Sequence, residues 1–362
     1  MAQKINHAAV LPAAGKDLEI VTLPVPTPGP ADVLIRSHVI AVNPIDRVRQ
    51  LFDLMVPSYP RVLGSDTTGV VEAVGSDVTA FKAGDRVVAV TDGFIFGDNG
   101  RESYQTYTVA QAATTAKLPD SVPFVKGSTI SLAIMTAASI IFDGFKFQVP
   151  GSEASAEAKA LPAAGVGPII ALWGGSSSVG SMTIQLATSL GFSVYTTASP
   201  QHHARLQRLG ADVVVDYASP EAAVEQLLAA AAKAGKQILY AVDTVNDAKK
   251  STPFLEQVLL KSATSAASSS TEGTLVYISM LPKYEWKSGL KPQFVNSADV
   301  WKRRTDIGAW LFGSGNLTRW LADGTFEPPI ARVVPGGLGG LQSALNQVKG
   351  GVHGEKLVVE VE

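Results

Sequence analysis

No cysteine occurs among the 362 residues. Disulfides, a thiolate nucleophile and any zinc site built on thiolates are thereby excluded. Histidine is scarce, with only five. His7, His38 and His353 stand alone, and the adjacent pair His202-His203 cannot place two ligands on one helix face, so no metal site is expected. An excess of either charge is also lacking, with 30 Lys plus Arg against 32 Asp plus Glu. That balance points away from nucleic acid and from an anionic membrane, and the densest basic cluster, Lys302-Arg303-Arg304, reads as a solvated face. The longest apolar-rich stretch, Ser131 to Phe142, falls short of the ~20 residues of a bilayer span, and no basic-then-apolar leader opens the chain. A soluble, cytoplasmic protein of about two domains is expected.

What is present is a turn made of small residues. Ile169 to Trp173 is a wholly apolar run suited to a strand buried on both faces, and it empties into Gly174-Gly175-Ser176-Ser177-Ser178-Val179-Gly180. Met182, Ile184, Leu186, Ala187 and Leu190 then supply the apolar side of a helix. The small residues become a strand-to-helix turn whose backbone N–H groups suit a pyrophosphate. The glycine spacing is incomplete, because Ser177 stands where the middle glycine of G-x-x-G-x-x-G would fall. Ser193 to Thr197 reads as the next strand, Pro200 to Leu209 as a helix closing at Gly210, and Asp212 to Asp216 as a third strand. That succession is one half of a doubly wound dinucleotide fold.

Residues 1 to 128 read as mostly β. Asp32 to Val42, Thr68 to Val74 and Asp85 to Val90 alternate as half-buried strands, and the Asn43-Pro44 step ends the first of them and starts a helix with Asp46 and Arg47 in its opening turn. Gln237 to Val242 and Thr274 to Ser279 continue the parallel sheet. The Pro, Ala and Glu-rich stretch 150–165 and the Ser, Ala and Thr-rich stretch 261–273 read as mobile loops.

Several segments, in order, resemble the medium-chain dehydrogenases/reductases. Val62-Leu63-Gly64-Ser65-Asp66-Thr67-Thr68-Gly69-Val70-Val71-Glu72-Ala73-Val74-Gly75 and Gly84-Asp85-Arg86-Val87 are similar to one characteristic region. Leu209-Gly210-Ala211-Asp212-Val213-Val214-Val215-Asp216-Tyr217 is similar to another. The resemblance implies a GroES-like, mostly β catalytic domain over 1–128, completed by 311–362, and a Rossmann NADP-binding domain over 129–310. It departs from the zinc branch, with Asn43 at the catalytic cysteine position and Ser65-Asp66 in place of histidine-glutamate. Within the zinc-independent quinone and enoyl reductase branch, the Asn43-Pro44-x-Asp46 turn, Ser199-Pro200, Asp216-Tyr217 and the ending Gly354-Glu355-Lys356-Leu357-Val358-Val359 resemble fungal trans-acting enoyl reductases of polyketide pathways, of the lovastatin type.

An NAD-selective fold places a carboxylate at the end of the second strand to bind the ribose 2′-OH. Here that end reads Thr197-Ala198-Ser199-Pro200-Gln201-His202-His203, with no acid, so NADPH is favoured: Ser199, Gln201 and His202 donate to a 2′-phosphate and the resemblance adds Tyr217. Ser199-Pro200 reads equally as a helix cap. The resemblance also puts Met280, Val352 and His353 against the cofactor, Thr136 beside the nicotinamide, and Asp46 and Arg47 on the turn facing it.

The reaction implied is hydride transfer from NADPH to an activated C=C bond of an enoyl thioester or enone, with a small molecule or carrier-bound acyl chain as substrate. A detoxifying quinone or enal reductase, and a non-redox member keeping the fold and bound NADP, stay open as alternatives. Resembling enzymes carry a lysine or tyrosine near the position of Val48, which cannot move a proton; Arg49, Tyr59 or water are the remaining donors. The stretch 299–312, where a strand pairing across a dimer would lie, does not read as a sheet edge, so a monomer is expected.

Overall fold

The computed structural model describes residues 4–153, 157–163, 167–264, 273–279, 284–286, 290 and 292–361. It divides into two compact units, Met1–Leu132 with Gly308–Glu362, and Ala133–Ile307.

The second unit holds the expected parallel sheet. Its six strands lie in the order Val213–Val215, Ser193–Thr197, Ile169–Trp173, Ile238–Asp243, Thr274–Tyr277, Gln293–Phe294, every pair parallel. The first strand in sequence sits inside the sheet and the order reverses beside it, so a crevice opens at the carboxyl ends of Ile169–Trp173 and Ile238–Asp243. Ile169–Trp173 is buried along its whole length, as an apolar run covered on both faces must be. Ile169, Ala171 and Trp173 pack with Ala223, Val224 and Leu227 of the helix Pro220–Lys233 and with Leu255 and Val258 of the helix Thr252–Thr264.

The first unit is mostly β, as the resemblance implied. Asp32–Ala41 is its spine: it pairs antiparallel with Asp66–Val74, Tyr107–Gln111 and Glu355–Glu360. Val33, Ile35, Val71, Val87, Ala89 and Ala110 fill the space these strands enclose. A smaller sheet orders Glu19–Leu23, Asn6–Leu11 and Arg61–Val62, and its inner face packs under Leu341 and Leu345 of the helix Gly340–Lys349.

Three sequence expectations change, and the stretch 299–312 is, as read, no sheet edge. The apolar stretch beginning at Ser131 belongs to a longer helical run, Phe124–Gly144, whose 21 residues are long and apolar enough to cross a bilayer. Most of it is buried inside the protein, which makes it a core helix. The stretch 150–165 is held near its middle: Lys159 pairs with Phe147, its N–H donates to the Lys146 carbonyl at 2.7 Å, and Nζ donates to the Tyr240 hydroxyl at 3.2 Å over the Tyr240 ring. Of the stretch 261–273, the first four residues continue a helix and 265–272 lie outside the described residues. The stretch 299–312 is largely helical, through Ser297–Arg303, Thr305–Gly308 and Ala309–Gly313, and the sheet's outer strand is Gln293–Phe294.

Candidate active site

The shape of the turn 174–180 follows from where a Cβ fits. Gly174 has φ +92°, a conformation side chains resist. A Cβ on Gly175 would lie 2.4 Å from Thr196 Oγ1, and one on Gly180 2.3 Å from the Gly174 carbonyl oxygen, so the helix Ser178–Ser189 is drawn tight against the turn. Ser177 has φ −64° and needs no glycine there. Its Oγ accepts the Gly180 N–H at 2.9 Å and lies 3.1 Å from Thr244 Oγ1, so the serine replaces the motif's middle glycine with a helix cap. Ser176, Ser178 and Val179 complete the turn at the helix N-terminus, where backbone N–H groups and the helix dipole favour an anion.

At the end of Ser193–Thr197, Ser199 begins a short 3₁₀ turn, Pro200–His202. Its Oγ lies 3.0 Å from the Tyr217 hydroxyl, which comes from the loop after the next strand. Gln201 Nε2 lies 3.3 Å from His202 Nε2, and His203 turns away to the Ala198 carbonyl at 2.9 Å. The carboxylate of Asp216, the acid next to Tyr217, accepts the Ala218 N–H at 2.9 Å within its own turn. Two hydroxyls thus meet at the strand end that an NAD-selective site would give to an acid.

A third feature of this crevice passed unnoticed in the sequence. Asp243, at the end of Ile238–Asp243, has no exposed surface and accepts N–H bonds from Val245 and Asn246 and hydroxyl bonds from Ser251 and Thr252. Burial pushes its carboxyl up, against the pull of these donors. Asn246, at φ +57°, accepts the N–H groups of Ile278 and Ser279. The only sequence signal was an acid ending an apolar strand; the turn it organises floors the carboxyl end of the sheet. Met280, the next residue, lies outside the described residues.

In the first unit, Asn43 is the N-cap and Pro44 the first residue of the helix Pro44–Phe52. Asp46, expected on a turn facing the cofactor, has no exposed surface. Its Oδ2 accepts the Asn43 N–H at 2.8 Å and the Tyr104 hydroxyl at 3.0 Å, while Oδ1 has no partner. Burial pushes this carboxyl up to about 6, opposed by Asn43, Arg49 and Tyr104. The folded protein therefore binds a proton more readily than the unfolded chain, and stability present at pH 4 is lost as pH rises through 6. Compared with Asp46→Asn in parallel thermal melts, the wild type is expected to lose about 2 kcal/mol more between pH 4 and pH 7. Arg47 beside it is half-buried and donates to Gln50 Oε1 at 2.5 Å. Thr136, 7% exposed, sits on the helix Ser131–Ser139.

Of the two side chains the sequence offered as proton donors, Arg49 is fully buried and bidentate to Glu102, at 3.0 and 2.7 Å. Tyr59 donates its proton to Asp53 at 2.5 Å, and desolvation and that carboxylate push it up to about 12. Val352 is half-buried and His353 exposed, on the turn before the last strand.

Behind the Asn43 turn lies Asp66, also without exposed surface. It accepts four bonds: from Asn43 Nδ2 at 3.0 Å, Ser131 Oγ at 2.6 Å, the Leu132 N–H at 2.7 Å and Lys356 Nζ at 2.5 Å. A carboxylate so engaged, with an ammonium against it, has nothing to offer a zinc ion, and the described residues include no cluster of three metal-binding side chains.

Residues 29–120 match the alcohol dehydrogenase GroES-like domain. Over 362 residues and 98% of both chains, the sequence is 35% identical to the trans-enoyl reductase tndF of Aspergillus flavipes. Among solved structures, the CurK enoyl reductase superposes with a TM-score of 0.73 at 17% identity, covering 98% of this chain and 99% of that one. Mycobacterial Rv1454c complexed with NADPH superposes with a TM-score of 0.71 at 22% identity over the same shares. The chain thus belongs to the medium-chain dehydrogenases/reductases, in the branch of the fungal trans-enoyl reductases.

Proposed function

We propose that this protein is an NADPH-dependent reductase of an activated C=C bond, acting on an enoyl thioester or enone, free or carried by a synthase, in fungal secondary metabolism. Its relationship to tndF supports the reaction class, and the NADPH complex of Rv1454c supports the cofactor. The observation that carries the cofactor choice is the Ser199–Tyr217 hydroxyl pair at a strand end free of carboxylates. The close approach of backbone at Gly175 and Gly180 fits the pyrophosphate of the same molecule.

When bound, NADPH supplies the hydride delivered to the substrate's β-carbon. The chain's own residues do the rest. The turn 174–180 binds the pyrophosphate, and Ser199, Tyr217, Gln201 and His202 take the 2′-phosphate. Met280, Val352 and His353 are assigned to the cofactor's remaining contacts. Arg47 and the Thr136 hydroxyl are the donors assigned to the carboxamide and to the carbonyl oxygen on which charge builds. Asp46 is assigned to holding the turn that carries Arg47. With Arg49 sealed and Tyr59 committed to Asp53, the α-carbon proton is assigned to water.

The test is loss of the reduced-nicotinamide absorbance with an enoyl thioester, set against free quinones and enals. Turnover of the thioester with NADPH preferred over NADH is expected. The double variant Ser199→Ala/Tyr217→Phe is expected to raise KM for NADPH about tenfold or more with little change for NADH, the size of two lost charge-assisted bonds. Quinone turnover without thioester turnover would favour the detoxifying reading. No oxidation of NADPH with any acceptor would leave the non-redox one.

A further inference from the structure

Asp66 and Lys356 are 290 positions apart in sequence, yet they meet where the side chains are 0% and 4% exposed. A buried charge pair of this kind needs further bonds to justify its desolvation. Here the carboxylate takes them from two different backbone segments. Asn43, which caps the helix carrying Arg47, donates to Oδ2; Ser131 and Leu132, which open the helix carrying Thr136, donate to Oδ1. Lys356 Nζ lies also 3.3 Å from the Thr129 carbonyl, just before that helix.

The chemistry of the acceptor explains why a cation is there. A carboxylate can accept all four bonds only while ionised. Without the ammonium it would be a buried anion with no counter-ion, held by neutral donors alone. The carboxylate would then shift toward water or another partner, and the segments bonded to it would shift with it.

Resting on the reductase reading above, we propose that Lys356 is a positioning residue for the reduction. Its ammonium keeps Asp66 an acceptor-only hub, and the hub holds the Asn43–Arg47 turn and the start of the Ser131–Ser139 helix in one register. The residue comes from the last strand, far from either segment, and touches neither substrate nor cofactor in this role.

The experiment compares the full chain with Lys356→Met and with Asp66→Asn/Lys356→Met. The double variant leaves no unpaired charge, so it carries the test if the single variant does not fold. Its amide nitrogen takes the place of the Oδ2 that accepts from Asn43, so that bond is lost. With the N-acetylcysteamine thioester of crotonic acid as substrate, kcat is expected to fall about tenfold to a hundredfold, the scale set by small misplacements of reacting groups. KM for NADPH should stay within about twofold, since no group assigned to the cofactor's phosphates has moved. The primary isotope effect with 4-deuterated NADPH should rise as hydride transfer becomes limiting. A merely structural role would lower Tm and leave that isotope effect alone. Hydrogen exchange of peptides covering Asn43–Arg47 and Ser131–Thr136 should accelerate about tenfold or more. A folded double variant with wild-type kcat and isotope effect overturns the proposal, as does unchanged exchange in both peptides. If the wild type oxidises no NADPH, the reductase reading has failed, and the exchange measurement still decides whether Lys356 holds the two segments.

Discussion

Replacing Glu102 with alanine is expected to remove about 3–5 kcal/mol of stability, enough to unfold a protein of ordinary margin at 37 °C. Glu102 has no exposed surface and lies between two guanidinium groups that are almost as deeply buried. Arg49 meets it through two bonds, Arg61 through one at 2.8 Å, and Arg61 reaches on to the Gly93 carbonyl at 2.7 Å. Without the carboxylate, both buried guanidinium groups lose their ion-pair partner, and Arg49 keeps only the more distant charge of Asp46. The reference is Glu102→Ala/Arg49→Met/Arg61→Met, whose neutral cluster should recover most of the loss, because the cost is the stranded charge rather than the missing pair. Urea denaturation of the three proteins checks this. A single variant within about 1 kcal/mol of wild type would mean that water reaches the cluster.

Gly180→Ala is expected to weaken NADPH binding about a hundredfold, nearly 3 kcal/mol at 25 °C, as read by quenching of intrinsic fluorescence. The added methyl would stand 2.3 Å from the Gly174 carbonyl oxygen, 2.9 Å from Ser177 Oγ and 3.0 Å from Gly175 Cα. Two of those three neighbours are backbone and cannot rotate away. The helix must therefore withdraw from the turn, and its first N–H groups withdraw with it. Gly84→Ala provides the contrast. It sits at positive φ, unlike the helical Gly180, but an added methyl there meets nothing within 4 Å, so only local strain is expected, with unchanged affinity for the cofactor. Unaltered binding by Gly180→Ala would show that the turn does not cradle the pyrophosphate.

The parallel sheet was legible because its strands are short, apolar and separated by turn residues, and because Ile169–Trp173 runs straight into small residues. The mostly β unit was legible by alternation. What escaped were effects in which one group's meaning is set by a distant one. Ser177 looked like a defect in a glycine motif, and only the Gly180 N–H above it reveals a cap. Asp46 sits on the right turn, but Tyr104, 58 positions away, draws its carboxylate inward. Lys356 stood out only as part of a familiar ending, since nothing local says that its partner is Asp66. Lys159 likewise looked like one charge in a polar linker until Tyr240 and Phe147 supplied the surface that holds it. Periodicity reports which face of an element is buried, but not which buried polar groups will find each other.

The placement of the closing strand bears on how the polypeptide matures at the ribosome. Glu355–Glu360 slots between Ile330–Val333 and Asp32–Ala41, so the end of the latter, Val39 to Ala41, has no neighbour on that side until Glu355–Glu360 has been synthesised. The second unit, contiguous over Ala133–Ile307, can collapse as soon as it emerges, while the mostly β unit waits with one strand edge bare. Nascent chains stalled before Glu355 should accordingly recruit holding chaperones, and emergence of Glu355–Glu360 should end that dependence.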